Sequence, residues 1–234
     1  MIQHYVALPL HEDFRQQIVA LNQKFMAGSR QSLSREAGQL MSEVSCQIID
    51  RVFKQMIEQF LQVEGLSEQK RAHLNTSLKH IDDIKAIMRK YMGWAVSWFG
   101  NERLTPVVNL FTQMIQQEKW HDQQQAYLVF NLPQTTAERA LLALCSLEHG
   151  KVNNAEGAVE SLIEVTDIGM DALIRQPKAL LKFNMVADKT LNGVISITTT
   201  RAYGNLRQLG QQLDPLLFKT VAKHLQQFIG ARKT

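Results

Sequence analysis

Two apolar-periodic segments of about thirty residues, separated by little more than Gly65-Leu66-Ser67, constrain this chain more than any other feature. The first runs over about 32–63 and carries Leu40, Met41, Val44, Ile48, Ile49, Val52, Phe53, Met56, Ile57, Phe60 and Leu61. Projected at about 100° per residue, these side chains cover more than half the helix circumference, so the helix must be covered on two sides and belongs at the centre. The second segment, about 67–99, repeats Leu74, Leu78, Ile81, Ile84, Met88, Met92, Ala95 and Phe99, with Lys70, Arg71, Lys79, Asp82, Asp83, Arg89 and Lys90 on its other side. Gly65 can adopt the left-handed conformation that ends a helix, Leu66 can close over that end, and Ser67 can cap the next helix. Helices of about 45 Å joined by so short a turn must fold back antiparallel.

The remaining segments extend the helical reading. Residues 10–26 place Phe14, Ile18, Leu21 and Phe25 at three- and four-residue spacing; Gly28 ends this helix and Ser32 or Ser34 opens the next. Thr105-Pro106 starts another helix, with Thr105 as cap. Thr135 with Glu138, and Asn153 with Glu156, read as capping boxes opening helices over 135–149 and 154–175. Tyr127-Leu128-Val129-Phe130 has strand propensity but no neighbouring partner run, and reads as an apolar helical or extended connection ending at Pro133. Pro177 begins a new segment, the β-branched run 194–200 keeps helical spacing, and Asp214-Pro215 opens a last helix with Leu217, Val221, Leu225 and Phe228 on one face. The expected fold is all-α, a bundle of about seven to eight helices around the hairpin. It forms one domain over 1–234, with sub-boundaries conceivable near 100–104 or 131–135.

Motifs of catalysis are absent. No glycine-framed nucleophile and no phosphate-binding loop occurs. Glu118-x-x-His121 is half of a paired helical carboxylate site, and no second copy follows. His149 belongs at a helix C-terminus, where the backbone dipole favours it. The two cysteines, Cys46 and Cys145, lie far apart in apolar stretches and read as buried free thiols. With no signal-like N-terminus and no apolar run of about 20 residues, the cytoplasm is the expected compartment. No cofactor or metal is implied, and the chain reads as a non-enzyme.

Charge is unevenly spread. Residues 1–174 hold 16 Lys/Arg and 20 Asp/Glu, whereas 175–234 hold 10 Lys/Arg and only Asp188 and Asp214. Glu156, Glu160, Glu164, Asp167 and Asp171 recur every three or four residues as one acidic stripe, with Ala158, Leu162, Val165 and Ile168 on the opposite side. The stripe reads as a solvated face partly neutralised by the basic end, or as a docking surface for a basic partner. Arg175, Lys178, Lys182, Lys219, Lys223, Arg232 and Lys233 form the candidate basic surface. Nucleic-acid binding there requires these cations to share one face.

A third candidate is the aromatic cluster of Tyr91, Trp94, Trp98 and Phe99, which Trp120 can join. Its rings point to several sides of a helix end, suiting either a second core layer or an apolar pocket or interface. The leading functional expectation is a protein-interaction module, oligomeric, working through the hairpin's apolar surface and the charged C-terminal region. The alternatives are a small-molecule-binding bundle with an apolar aromatic pocket, and nucleic-acid binding through the basic end.

Overall fold

The hairpin forms, but its first arm is interrupted. Helix α2 (Ser34–Ile49) passes through a π-helical turn, Asp50–Lys54, into α3 (Gln55–Leu61). Helix α4 (Glu68–Ser97) returns antiparallel, setting Glu43 against Arg89 and Asp50 against Lys85. The turn follows its sequence: Gly65 has φ +83°, Leu66 is buried, and the Ser67 hydroxyl accepts the Lys70 N–H at 3.4 Å. Arg71 donates to the carbonyls of Leu61 and Val63, taking up acceptors left over where α3 stops. The computed structural model describes residues 2–120, 123–150, 155–211 and 215–233.

The protein is predominantly helical, as expected, with one addition: a four-stranded antiparallel sheet. Strands β1 (Ile2–Leu10), β2 (Ile115–Trp120), β3 (Gln123–Leu132) and β4 (Ile229–Lys233) are ordered β2-β3-β1-β4. Tyr127-Leu128-Val129-Phe130 is therefore a strand and not a connection. It pairs on one side with β1, at the start of the sequence, with Val6 opposite Phe130 and Leu8 opposite Leu128, and on the other with the adjacent β2, with Ile115 opposite Leu128. One face of the sheet presents Val6, Leu8, Leu128, Phe130 and Leu132 to the main core, while Tyr5, Ala7, Tyr127 and Val129 form a small cluster of their own.

Several helix starts differ from expectation. Helix α1 (Glu12–Met26) ends at Gly28, φ +67°. The cap of α2 is Leu33, not Ser32 or Ser34, because Asn101 organises that loop: its Oδ1 accepts the Leu33 N–H at 2.9 Å. The same side chain donates to the carbonyls of Ser29 and Gln31, at 2.9 and 2.8 Å. Helix α5 (Asn101–Met114) accordingly begins at Asn101, leaving Thr105 and Pro106 inside it. Helix α6 (Gln134–Glu148) is entered from Pro133, whose extended ψ of 138° sets its start, so Thr135 is not its cap. The Asn153 capping box and Asp214 lie outside the described residues.

Helix α7 (Ala155–Met170) runs through a second π-turn, Asp171–Arg175, into α8 (Gln176–Leu181). Pro177 does not begin a separate segment. It lacks the N–H that an α-helix requires and its ring crowds the preceding turn, which the wider π-turn accommodates. Helix α9 (Met185–Gln211) contains the β-branched run 194–200; Thr190 and Thr199 turn their hydroxyls onto carbonyls four residues back. Helix α10 (Pro215–Gln226) buries Leu217, Val221 and Leu225 as expected.

The hairpin is central. Leu40 and Val44 belong to a cluster with α1 and α5, Met56, Ile57 and Phe60 to the cluster under the sheet, and Ile48 packs against both. Contacts cross both candidate sub-boundaries: β3 pairs with β1 across 100–104, and β4 pairs with β1 across 100–104 and 131–135 alike. Of the cysteines only Cys46 is buried, where burial pushes its thiol pKa up. Cys145 is exposed on α6, its sulfur 3.7 Å from His149 Nδ1.

Candidate functional site

Between the hairpin and the α7–α9 layer lies a cavity of about 240 Å³. Its floor is the sheet, through Val6, Leu8, Phe130 and Ile229; Ile48, Val52, Ile84 and Met88 wall one side, and Leu162, Val165, Leu173 and Leu206 the other. Both π-turns border it, through Val52 and Phe53 on one wall and Leu173 and Ile174 on the other. A π-turn widens a helix by one residue and rotates the side chains that follow, a device common at binding sites. The apolar side of α7 opposite the acidic stripe is the side that reaches this cavity.

The lining offers a ligand almost no polar partner. Ser45, Thr166 and Thr199 each donate to a carbonyl four residues back, at 2.8, 2.8 and 2.6 Å. The Tyr203 hydroxyl donates to Asp167 Oδ1 at 2.9 Å. Burial and that bond hold the phenol protonated, well above its usual range. Tyr203 also borders a polar groove of about 940 Å³ over α6, α7 and α9, so it stands where apolar lining gives way to charge.

That groove contains most of the acidic stripe, and the stripe is largely neutralised. Arg207 binds Glu160 at 2.7 Å; Arg139 binds Glu164 at 2.7 Å with Thr136 donating at 2.8 Å; Arg175 binds Asp167 at 2.6 Å. Gln176 donates to Asp171, and Glu156 is exposed in the first turn of α7. The hydrogen bonds from Arg207 and Arg175 hold Glu160 and Asp167 below the usual carboxylate range. Two of these arginines come from the basic end, so part of the charge asymmetry closes on itself.

The candidate basic residues are spread over different elements. Arg175 and Lys178 are taken up by Asp167 and Asp188. Lys182 is exposed at the end of α8, and Lys219 and Lys223 are exposed one turn apart on α10. Arg232 lies on β4, bonded to Gln3 and Gln116 with its guanidinium 5.3 Å from the Tyr5 ring; Lys233 is also on β4, and its side chain lies outside the described residues.

The aromatic cluster divides. Phe99 is buried against Phe183, with ring centroids 4.7 Å apart. Trp94 packs edge-to-face on Tyr91 at 6.4 Å and on Trp98 at 5.1 Å, yet both indoles remain exposed. Glu118 lies on strand β2 rather than on a helix; its side chain, the Trp120 side chain and His121 lie outside the described residues. Among the described residues no group of three or more His, Cys, Asp or Glu could hold a metal ion, and no helix is long and apolar enough to cross a membrane.

His224, on α10, is 3% exposed behind the cavity wall. Its Nε2–H donates to the carbonyl of Val52 inside the first π-turn at 3.0 Å, and its Nδ1 accepts from Gln227 at 3.2 Å. Burial lowers its pKa below the ordinary 6.5. Above that value the imidazole is neutral in folded and unfolded chains alike. As pH falls through about 6.5 the unfolded chain takes up a proton that the folded chain resists, and stability drops. Urea unfolding should therefore give a lower midpoint at pH 5.5 than at pH 7.5, and His224→Gln should reduce that difference. An unchanged pH dependence would remove His224 from this role.

Against family models, curated proteins and solved structures alike, the chain shows no match.

Proposed function

We propose that this protein binds a small apolar molecule, or the acyl chain of an amphiphile, in the cavity between the hairpin and the α7–α9 layer. The observation that carries the proposal is the cavity's size together with its lining. The cavity is open to solvent on part of its boundary, so without an occupant its apolar walls face water, and an apolar occupant would release that water. Apolar walls of this extent make physical sense when something covers them. The occupant has to be apolar, since each hydroxyl in the lining already donates within the protein. Tyr203, bordering the charged groove, suits an amphiphile whose head group faces the groove.

The test uses straight-chain fatty acids and alkanols of graded length. A ligand at a hundred times its Kd stabilises by about 2.7 kcal/mol, which a thermal melt resolves easily. We expect Tm to rise with chain length up to the length the cavity admits, and native mass spectrometry to show one bound molecule. The variant Ile84→Phe/Val165→Phe, filling the cavity from both walls, should fold and lose the ligand response. A Tm indifferent to every member of the series, or an occluded variant that responds like wild type, would reject the proposal. The interaction-module reading retains one supporting observation, the exposed indoles. Nucleic-acid binding has less support, because Arg175, Lys178 and Arg232 are already engaged within the protein.

A further inference from the structure

Trp94 on the last turn of α4 and Trp98 at its C-cap face the start of α9 across a groove of about 310 Å³. Met185 and Val186, consecutive residues opening α9, are 85% and 77% exposed, and Trp98 is 57% exposed. Two adjacent apolar side chains that both face solvent at a helix start form a protruding tip. The tip is held firmly. Lys182 turns the chain with φ +47°, Asn184 Oδ1 accepts the Ala187 N–H at 2.9 Å, and Phe183 packs on Phe99. Arg103 donates to the carbonyls of Leu181 and Lys182 while its guanidinium lies 4.5 Å from the Phe99 ring centre. A backbone pinned by so many contacts keeps Met185 and Val186 outside.

The charge around this patch is one-sided. Segments 89–103 and 178–189 contain Arg89, Lys90, Arg103, Lys178, Lys182 and Lys189 against only Glu102 and Asp188. Asp188 is bound by Lys178, while Arg89 is spent on Glu43. Lys90, Lys182 and Lys189 are exposed and, among the described residues, held in no ion pair. Lys90 stands one turn before Trp94, and Lys189 one turn after Met185, so each apolar ridge continues into a lysine.

Indoles and flexible apolar side chains beside exposed lysines, Lys90 among them lying 5.5 Å over the Tyr91 ring, match the interfacial zone of a bilayer carrying anionic head groups. We propose that this patch docks the protein on an anionic membrane surface, with Trp94, Trp98, Met185 and Val186 entering the interface and the three lysines meeting the head groups. The proposal rests on surface residues and is independent of the cavity.

Vesicle flotation and tryptophan emission test it. A Trp120→Phe background leaves Trp94 and Trp98 as the two indoles. Vesicles of equal parts phosphatidylglycerol and phosphatidylcholine should carry the protein upward and shift its emission to the blue, and pure phosphatidylcholine should do neither. Removing the three lysine charges (K90Q/K182Q/K189Q) should weaken binding at least about tenfold, as should raising salt, since each cation near such a surface contributes appreciably. Met185→Asp/Val186→Asp, at positions that bear on no core, should abolish the blue shift, and the cavity-occluded variant should bind vesicles normally. No flotation on anionic vesicles at low salt would overturn the proposal. So would binding unaffected by the Met185/Val186 variant, or a dimer dissolved by that variant, which would make a second copy the occupant.

Discussion

Phe130→Ala is expected to destabilise the ligand-free protein by about 3–5 kcal/mol, the usual range for deleting a buried ring. Phe130 is buried at 8% exposure in the floor of the cavity. Its ring lies against α7 at Gly169, where an added Cβ would come within 3.1 Å of Cζ. Neither the hydrogen-bonded sheet nor the glycine face can easily collapse into the space left, and that space joins a cavity already present. The change therefore has a second expected result: fatty acids longer than wild type accepts should bind, and a saturating one should restore part of the lost stability. Urea unfolding with and without such a ligand measures both. Val129→Ala, on the opposite face of the same strand, should cost only about 1.5 kcal/mol for its two carbons and leave the length preference unchanged. Equal ligand behaviour in the two variants would separate Phe130 from the cavity.

Gly38→Leu is expected to cost about 3 kcal/mol or more, at the upper end for forcing volume into a packed interface. Gly38 on α2 is where the hairpin's two arms touch backbone to backbone: a Cβ there would meet Gly93 Cα and Val96 Cβ, each at 3.2 Å. A leucine adds three more carbons to a Cβ that already crowds the α4 backbone, so the arms must separate and lose packing. The Glu43–Arg89 and Asp50–Lys85 pairs across the same interface would be stretched with it. Gly93→Ala supplies the contrast. A Cβ at Gly93 meets nothing within 4 Å, and the helix gains roughly 1 kcal/mol of propensity over glycine. Opposite signs in urea midpoints at two glycines facing one another would show that close approach from α2 governs the crossing. Two destabilised variants would refute this geometry.

Much of the fold was legible because it depends on local periodicity. The hairpin, its Gly65-Leu66-Ser67 turn, the helical run through 194–200 and the apolar face of α10 all follow from residues within a few turns of one another. The helix starts were read less well. Leu33 and Asn101 illustrate why: a side chain 68 positions away supplies the bond that local cap rules assign to Ser32 or Ser34. The aromatic cluster was found, yet its division into buried Phe99 and exposed Trp94 and Trp98 depends on Phe183, which no spacing within 91–99 reveals.

The cavity was not legible as a site. Its residues were visible as apolar faces of separate helices, and apolar periodicity is the same whether a face meets another or stops short of it. Strand β3 was misread because its adjacent partner β2 carries the polar run Gln116-Gln117-Glu118-Lys119, which has no strand-like apolar pattern, while its apolar partner β1 is more than a hundred residues away. The sequence by itself determined a predominantly helical chain, its central hairpin and its uneven charge, because i to i+4 spacing and net charge are properties of the chain alone. Only the tertiary structure decided which carboxylates meet which arginines, where π-turns widen the helices, and that two well-formed apolar layers leave about 240 Å³ between them. Those outcomes depend on distances between elements, which no periodicity encodes.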